Sequence, residues 1–257
     1  MDFELQGRKA VITGASKGIG LGIAQTLAAE GCHVWLAARN EAGLRDAAAG
    51  IERDFGVCAG WTAIDMAQSG AGQRLMQAVG DCDYAVNNAG AIPGGGLATL
   101  SDDDLREAYD LKLFGYLSLA RAAYAAFCAR GSGVLLNIIG AAGERPDAGY
   151  IGGGIANAGL MAMSRALGAQ GPQYGVRVVG LNPGYCATDR VVTLMKAKAT
   201  EQWGDAQRWT ELTAGLPFGR TASVQEVADV AAFLLSPRAG YISGVVVTVD
   251  GGATARI

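Results

Sequence analysis

The sequence predicts an α/β fold, a single domain built on a doubly wound, seven-stranded parallel sheet flanked by helices. Three observations carry that expectation. Short β-branched runs alternate from end to end with Ala- and Leu-rich stretches, the order that buries a parallel sheet between helical layers. Apolar residues make up 50% of the 257-residue chain and charged ones 18%, enough to fill one large core. No Pro- or Ser-rich linker divides the chain, and no internal repeat of about 20 to 50 residues is present, so residues 1–257 are read as one unit.

The elements follow in order. KAVIT (residues 9–13) is the first strand, HVWLAA (33–38) the second, CAGWTAI (58–64) the third and YAVNN (84–88) the fourth. GVLLNII (133–139), VRVVGL (176–181) and VVVTV (245–249) complete the seven, with helical stretches between them. Ser101–Asp104 and Ser223–Glu226 each match S-x-x-[DE], in which side chains satisfy the free backbone groups at a helix start. The polar segment 188–214 falls late, between a strand and a helix, and reads as a lid insertion. Its Met195, Trp203 and Trp209 suit either an apolar substrate contact or a local core.

Charge and cysteine usage exclude several classes. A net charge of −3, with 21 scattered Lys and Arg, gives no basic stripe for nucleic acid. Five cysteines, widely spaced and without a C-x-x-C pair, read as reduced thiols in a cytoplasmic protein and offer no metal framework. No apolar run reaches the roughly 18 residues that span a bilayer, and the acidic start MDFELQGRKA does not resemble a secretory signal, so no membrane association is expected. His33, the only histidine, lies at a strand start where packing explains it, which argues against Ser-His triads and histidine-rich zinc sites.

TGASKGIG, Thr13 to Gly20, follows the first strand and opens a helix, where backbone can approach a pyrophosphate at the positive end of the helix dipole. With its spacing of Gly14, Gly18 and Gly20, NNAG at 87–90, NPG at 182–184 with Thr188, and YISGVVVTVDGG at 241–252, nearly the whole chain resembles the short-chain dehydrogenase/reductase family. The resemblance implies a Rossmann-type sheet and a nicotinamide dinucleotide. By that resemblance Gly14, Ser16, Lys17, Gly18, Ile19 and Gly20 surround the phosphates, Asp65 and Met66 lie at the adenine, and Asn88, Ala89 and Gly90 border the cofactor. Asn157, Pro183, Gly184 and Thr188 belong to the nicotinamide end, with Thr188 holding the carboxamide. The family also implies a homotetramer or homodimer, formed through the helices at 102–130 and after Gly149.

Cofactor choice follows from charge. An acid at the end of the second strand would bind a ribose 2'-hydroxyl and repel a 2'-phosphate, but that position is Ala38. Arg39 and Lys17 instead offer two cations to a phosphate dianion, which favours NADP(H) over NAD(H).

Catalysis is where the sequence departs from the resemblance. Members of the family use an Asn-Ser-Tyr-Lys tetrad, in which tyrosine passes a proton to the substrate oxygen while hydride moves at carbon. Ungapped matching puts Lys112 at the asparagine, Gly140 at the serine, Gly153 at the tyrosine and Asn157 at the lysine. No Y-x-x-x-K occurs anywhere, because none of the five lysines (Lys9, Lys17, Lys112, Lys196, Lys198) lies four residues after a tyrosine.

Two compensations are visible. Lys112 has Ala108, Tyr109, Gly115 and Tyr116 as helical neighbours, none acidic, so it lies on an apolar face and brings a cation to the region from a neighbouring helix. Tyr150 stands three residues before Gly153, which on a helix rotates it by about 60° and shifts it by about 4.5 Å toward the N-terminus, at the rim of the same cleft. Tyr185, after Pro183 and Gly184, is a weaker candidate donor. Glu144, Arg145 and Asp147 sit near the expected substrate mouth, to bind a polar group or to form a solvated loop. Three functions remain open: an NADP(H)-dependent oxidoreductase acting on a small carbonyl or alcohol substrate through Tyr150 and Lys112, a catalytically inactive nucleotide-binding sensor or partner subunit, and a non-redox enzyme using Lys112.

Overall fold

The computed structural model describes residues 2–256. Seven strands, β1 (Lys9–Thr13), β2 (His33–Ala38), β3 (Ala59–Ala63), β4 (Tyr84–Asn87), β5 (Gly133–Ile138), β6 (Val176–Pro183) and β7 (Val246–Val249), form one sheet in the order β3-β2-β1-β4-β5-β6-β7. Every neighbouring pair is parallel. The helices are α1 (Gly18–Ala29), α2 (Glu41–Phe55), α3 (Ala71–Val79), α4 (Asp102–Tyr109), α5 (Gly115–Arg130), α6 (Ile151–Gln170), α7 (Asp189–Trp203), α8 (Glu211–Ala214) and α9 (Val224–Leu235). Strand order reverses between β1 and β4, which opens a crevice at the carboxyl ends of the strands.

Both faces of the sheet are covered, so its strands are apolar at successive positions. Val11, Ala85, Leu135 and Val178 pack with Leu75 of α3 and Leu119 and Phe127 of α5. Their chain neighbours Ile12, Val86, Leu136 and Val179 point the other way, into a core with Ile23, Leu27, Leu44, Val227 and Leu234. Both expected capping boxes form, with Asp104 N donating to Ser101 Oγ and Glu226 N to Ser223 Oγ, each at 3.1 Å. His33 accepts a hydrogen bond from Cys58 N at 3.1 Å and joins the starts of β2 and β3. Among the described residues no helix is long and apolar enough to cross a membrane.

Two segments matter for the site. Between α4 and α5 the helix does not break, but Asp110–Phe114 widens into a π-helical turn with Lys112 at its centre. Such a turn accommodates an extra residue and re-aims the side chains it carries. Residues 188–214 are helical, made of α7, a 3-10 turn at Ala206–Thr210 and α8. Met195 is buried there and Arg208 stacks over Trp203 at 4.4 Å, so both apolar residues have local partners.

Arg177 closes the C-terminal end of α9. Its Nη1 donates to Leu234 O (2.8 Å) and its Nη2 to Leu235 O (3.2 Å) and Ser236 O (3.0 Å), carbonyls a helix end leaves free, and Nη1 also reaches Ile242 O (3.2 Å) in the loop before β7. Arg177→Met is expected to lower the unfolding free energy by about 2–3 kcal/mol in urea titration, the scale of charged hydrogen bonds lost from partly buried carbonyls. A midpoint unchanged from the wild type would show the cap to be dispensable.

Candidate active site

The glycine-rich loop is tied to β4 from behind. Thr13 Oγ1 accepts from Asn88 N (2.9 Å) and Ala89 N (3.2 Å), and Asn88 Nδ2 donates to Thr13 O (3.0 Å) and Gly14 O (3.2 Å). Gly14 has φ of 65°, and a Cβ on it would sit 2.9 Å from Ala89 Cα, so both conformation and closeness require glycine. α1 starts at Gly18, and the side chain of Lys17 does not cap it, leaving its first N–H groups to the crevice. Arg39 is exposed beyond β2 and joins no ion pair among the described residues. Lys17 Nζ is 3.4 Å from Asp189 Oδ2, with both side chains largely exposed, a contact water screens to little energy. Asp65 accepts from Ala67 N at 3.0 Å and Thr188 caps α7 at Val191 N (3.4 Å).

These residues line one cleft of about 2960 Å³, together with Ser16, Ile19, Met66, Gly90, Pro183 and Gly184 from the dinucleotide end and Lys112, Gly140, Tyr150 and Asn157 from the other. Two expected site glycines lie behind its wall. Gly20 backs onto Asn88 Nδ2 and Gly14 O, where an added Cβ would come within 2.5 Å of either. Gly153 is covered by the ring of Tyr150.

Lys112 is only 8% exposed. Its Nζ donates to Tyr116 Oη at 2.8 Å and Ile138 O at 2.9 Å, while Tyr116 Oη itself donates to Ile138 O at 2.6 Å. Burial, and secondarily the nearby Arg190 guanidinium, pulls its pKa down to about 7. Two N–H bonds are used, which leaves a third hydrogen of the ammonium, or the lone pair of the amine, for a molecule in the cleft. Gly90 makes room for the stem, since a Cβ there would stand 2.8 Å from Lys112 Cδ.

Tyr150 differs from expectation in its backbone. It precedes α6 as the N-cap residue, with φ of −138° and ψ of 43°, and is not a helical residue displaced by three positions. The backbone around it is held by Gly95, whose N donates to Gly149 O (2.7 Å) and whose O accepts from Ile151 N (3.3 Å). From that cap the ring folds back across Gly153, and any Cβ on Gly153 would overlap the ring carbons. The phenol therefore fills the space a side chain at 153 would use. Its oxygen accepts from Arg190 Nη2 at 3.2 Å, and the same nitrogen donates to Ile92 O at 2.6 Å. Arg190 was not legible as a site residue in the sequence, because it meets Tyr150 only through tertiary folding of α7.

Asn157, 4% exposed, follows Gly153 by one helical turn. Its Oδ1 is buried without a hydrogen-bond partner, and its Nδ2 lies 2.9 Å from where a Cβ of Gly140 would be. Gly140 N donates to Asn182 Oδ1 (3.2 Å), whose Nδ2 donates to Glu144 Oε1 (3.1 Å), and Glu144 Oε2 accepts from Thr248 Oγ1 (3.0 Å). Glu144 is thus a brace between β6 and β7. Arg145 donates to Ala253 O (2.9 Å) and Asp147 accepts from Gly149 N (2.8 Å), both holding the loop. Tyr185 is 43% exposed at the cleft edge.

Residues 14–254 match a family described as enoyl-(acyl carrier protein) reductase. A galactitol 2-dehydrogenase (L-tagatose-forming) of Cereibacter sphaeroides is 32% identical over 98% of this chain and 97% of its own length. The 3-oxoacyl-[acyl-carrier-protein] reductase of Escherichia coli (strain K12) is 30% identical over 98% of each. Among solved structures, the L-sorbose reductase of Gluconobacter frateurii complexed with NADPH and L-sorbose superposes with a TM-score of 0.91 at 30% identity, covering all of both chains. The chain belongs to the short-chain dehydrogenase/reductase family.

Proposed function

We propose that the protein is an NADP(H)-dependent oxidoreductase that interconverts a carbonyl and an alcohol, with Tyr150 as proton donor in a site whose four tetrad positions are Lys112, Gly140, Gly153 and Asn157. The observation that carries this reading is the Tyr150 ring lying in the space above Gly153, its hydroxyl held by Arg190. The cleft suits a dinucleotide: free N–H groups begin α1, Arg39 stands unpaired among the described residues at its adenine end, and the orphaned Asn157 Oδ1 calls for a hydroxyl donor such as a ribose. NADPH in the sorbose reductase complex supports the same cofactor.

Bound there, the nicotinamide would supply or accept the hydride. Tyr150 gives its phenolic proton to the carbonyl oxygen as hydride reaches carbon, and Arg190 steadies the phenolate that forms. Lys112 keeps a titrating amine beside the reacting region, held by Tyr116 and Ile138 so that it needs no reorganisation. Exposed Phe114 and Ile155, on the two helices expected to pair between copies, support a homodimer or homotetramer.

The test is consumption of NADPH, followed by its absorbance, against ketones, aldehydes and quinones. Arg39→Ala is expected to raise the NADPH dissociation constant by about tenfold or more, the worth of a charge-assisted phosphate contact, and to leave NADH binding unchanged. Tight NADPH binding without consumption of any compound would favour the sensor reading over the enzyme.

A further inference from the structure

Arg190, which holds the Tyr150 hydroxyl, has further N–H donors that the hydride-transfer reading does not use. Arg190 reaches in from α7, fixed by Ile92 O and Tyr150 Oη through one nitrogen, Nη2. Its Nε and Nη1 make no hydrogen bond among the described residues, and neither Arg190 nor Lys112 forms an ion pair there. Both line the same cleft. Arg190 is one cause of the lowered pKa of Lys112, so an anion that enters beside the guanidinium would also favour the protonated amine. With Nη2 occupied by Ile92 O and Tyr150 Oη, the N–H donors left on Nη1 and Nε can still meet a carboxylate oxygen through a charge-assisted bond.

We infer that the substrate carries a carboxylate next to its reacting carbonyl, a 2-oxo or 3-oxo acid, read by the free N–H donors of Arg190. The spacing follows from the shared nitrogen. Arg190 Nη2 is 3.2 Å from Tyr150 Oη, so a carbonyl oxygen at the phenol and a carboxylate on the rest of the guanidinium belong to adjacent or once-removed carbons. In the reaction the carbonyl carbon gains hydride from the reduced nicotinamide and its oxygen gains the Tyr150 proton, while the carboxylate stays unchanged. Gly140, which lines the cleft, lacks a side chain that would crowd such a planar group. A 3-oxoacyl thioester has no free carboxylate and cannot satisfy Arg190 in this way, which separates this pocket from the substrate named for the Escherichia coli relative.

The inference rests on Tyr150 marking the reacting position, so its test is made on binding and kept apart from turnover. With the protein saturated by NADP⁺, which cannot reduce a ketone, calorimetric titration compares short 2-oxo and 3-oxo acids with their amides. The acids are expected to bind at least about tenfold more tightly, the scale of one charge-assisted pair. Arg190→Gln should abolish that preference and Arg190→Lys should retain part of it. Equal binding of acid and amide, binding of neither, or a preference that survives Arg190→Gln overturns the inference. A parallel NADPH-consumption assay with neutral ketones and with the acids reports on the redox reading separately. Acid-selective binding without turnover would uphold the carboxylate site and reject the oxidoreductase, and turnover indifferent to the carboxylate would do the reverse.

Discussion

Tyr150→Phe is expected to lower the rate of NADPH oxidation by about 10² to 10⁴-fold, the loss that follows removal of a positioned acid. The substitution keeps the ring and so keeps the space above Gly153 filled, and NADPH binding should stay within about twofold of wild type. Gly153→Ala supplies the converse. Its added Cβ cannot coexist with the ring where it lies, so the phenol must leave, and turnover should fall although alanine favours a helix over glycine by about 1 kcal/mol. If Tyr150 were a bystander, the alanine variant would be as active as wild type and no less stable. Steady-state rates and thermal midpoints on both variants decide the matter. A Tyr150→Phe rate within about twofold of wild type would assign the proton to another group.

Lys112→Met should produce the other large effect, a rate loss of about 10²-fold or more together with a changed pH dependence of stability. The folded protein holds this amine at about 7, below its ordinary value of 10.5, through burial first and Arg190 second. Below about 7 both folded and unfolded chains carry the proton, and the fold bears the full cost of a buried ammonium. Between about 7 and 10.5 the unfolded chain binds more protons than the folded one, so this residue makes the wild type more stable as pH rises through that window. The methionine variant loses that slope, and urea unfolding across the range, read as wild type minus variant, isolates it from other titrating groups. In the same picture, carbonyl reduction by the wild type should decline above about pH 7, where the amine beside the Tyr150 donor no longer carries a positive charge. A stability difference that is flat with pH would mean that the amine titrates normally in the folded protein.

The strands were legible because each is an apolar run between turns, and a parallel sheet covered on both faces demands little more than that. The capping boxes were legible because they are local: Ser101 and Asp104 meet within one turn. Lys112 drew notice through what its helical neighbours lack, yet its burial on Tyr116 and Ile138 depends on a π-helical turn that no residue pattern in DLKLF announces. Tyr150 lines the cleft, but not through the helical geometry its spacing suggests. Helical periodicity put it a fixed rotation from Gly153, whereas Gly95 holds the backbone outside the helix and the ring returns by folding back. Arg190 escaped notice because its partners, Ile92 and Tyr150, are distant in sequence and nothing local distinguishes it from a surface arginine. Lys17 read as a free cation, and its contact with Asp189 forms only when α7 folds across the glycine loop.

The place of β1 inside the sheet, between β2 and β4, has a consequence for how the chain is made. β1 pairs with β2 on one side, but its other edge waits for β4, with Ala10 opposite Tyr84. A chain growing from its N-terminus therefore exposes an apolar, unpaired central edge until the fourth strand has been synthesised, and the crevice between these two strands does not exist before then. Nascent lengths ending ahead of Tyr84 are thus the ones most exposed to strand-to-strand association, and the ones a ribosome-bound chaperone would be needed to shield.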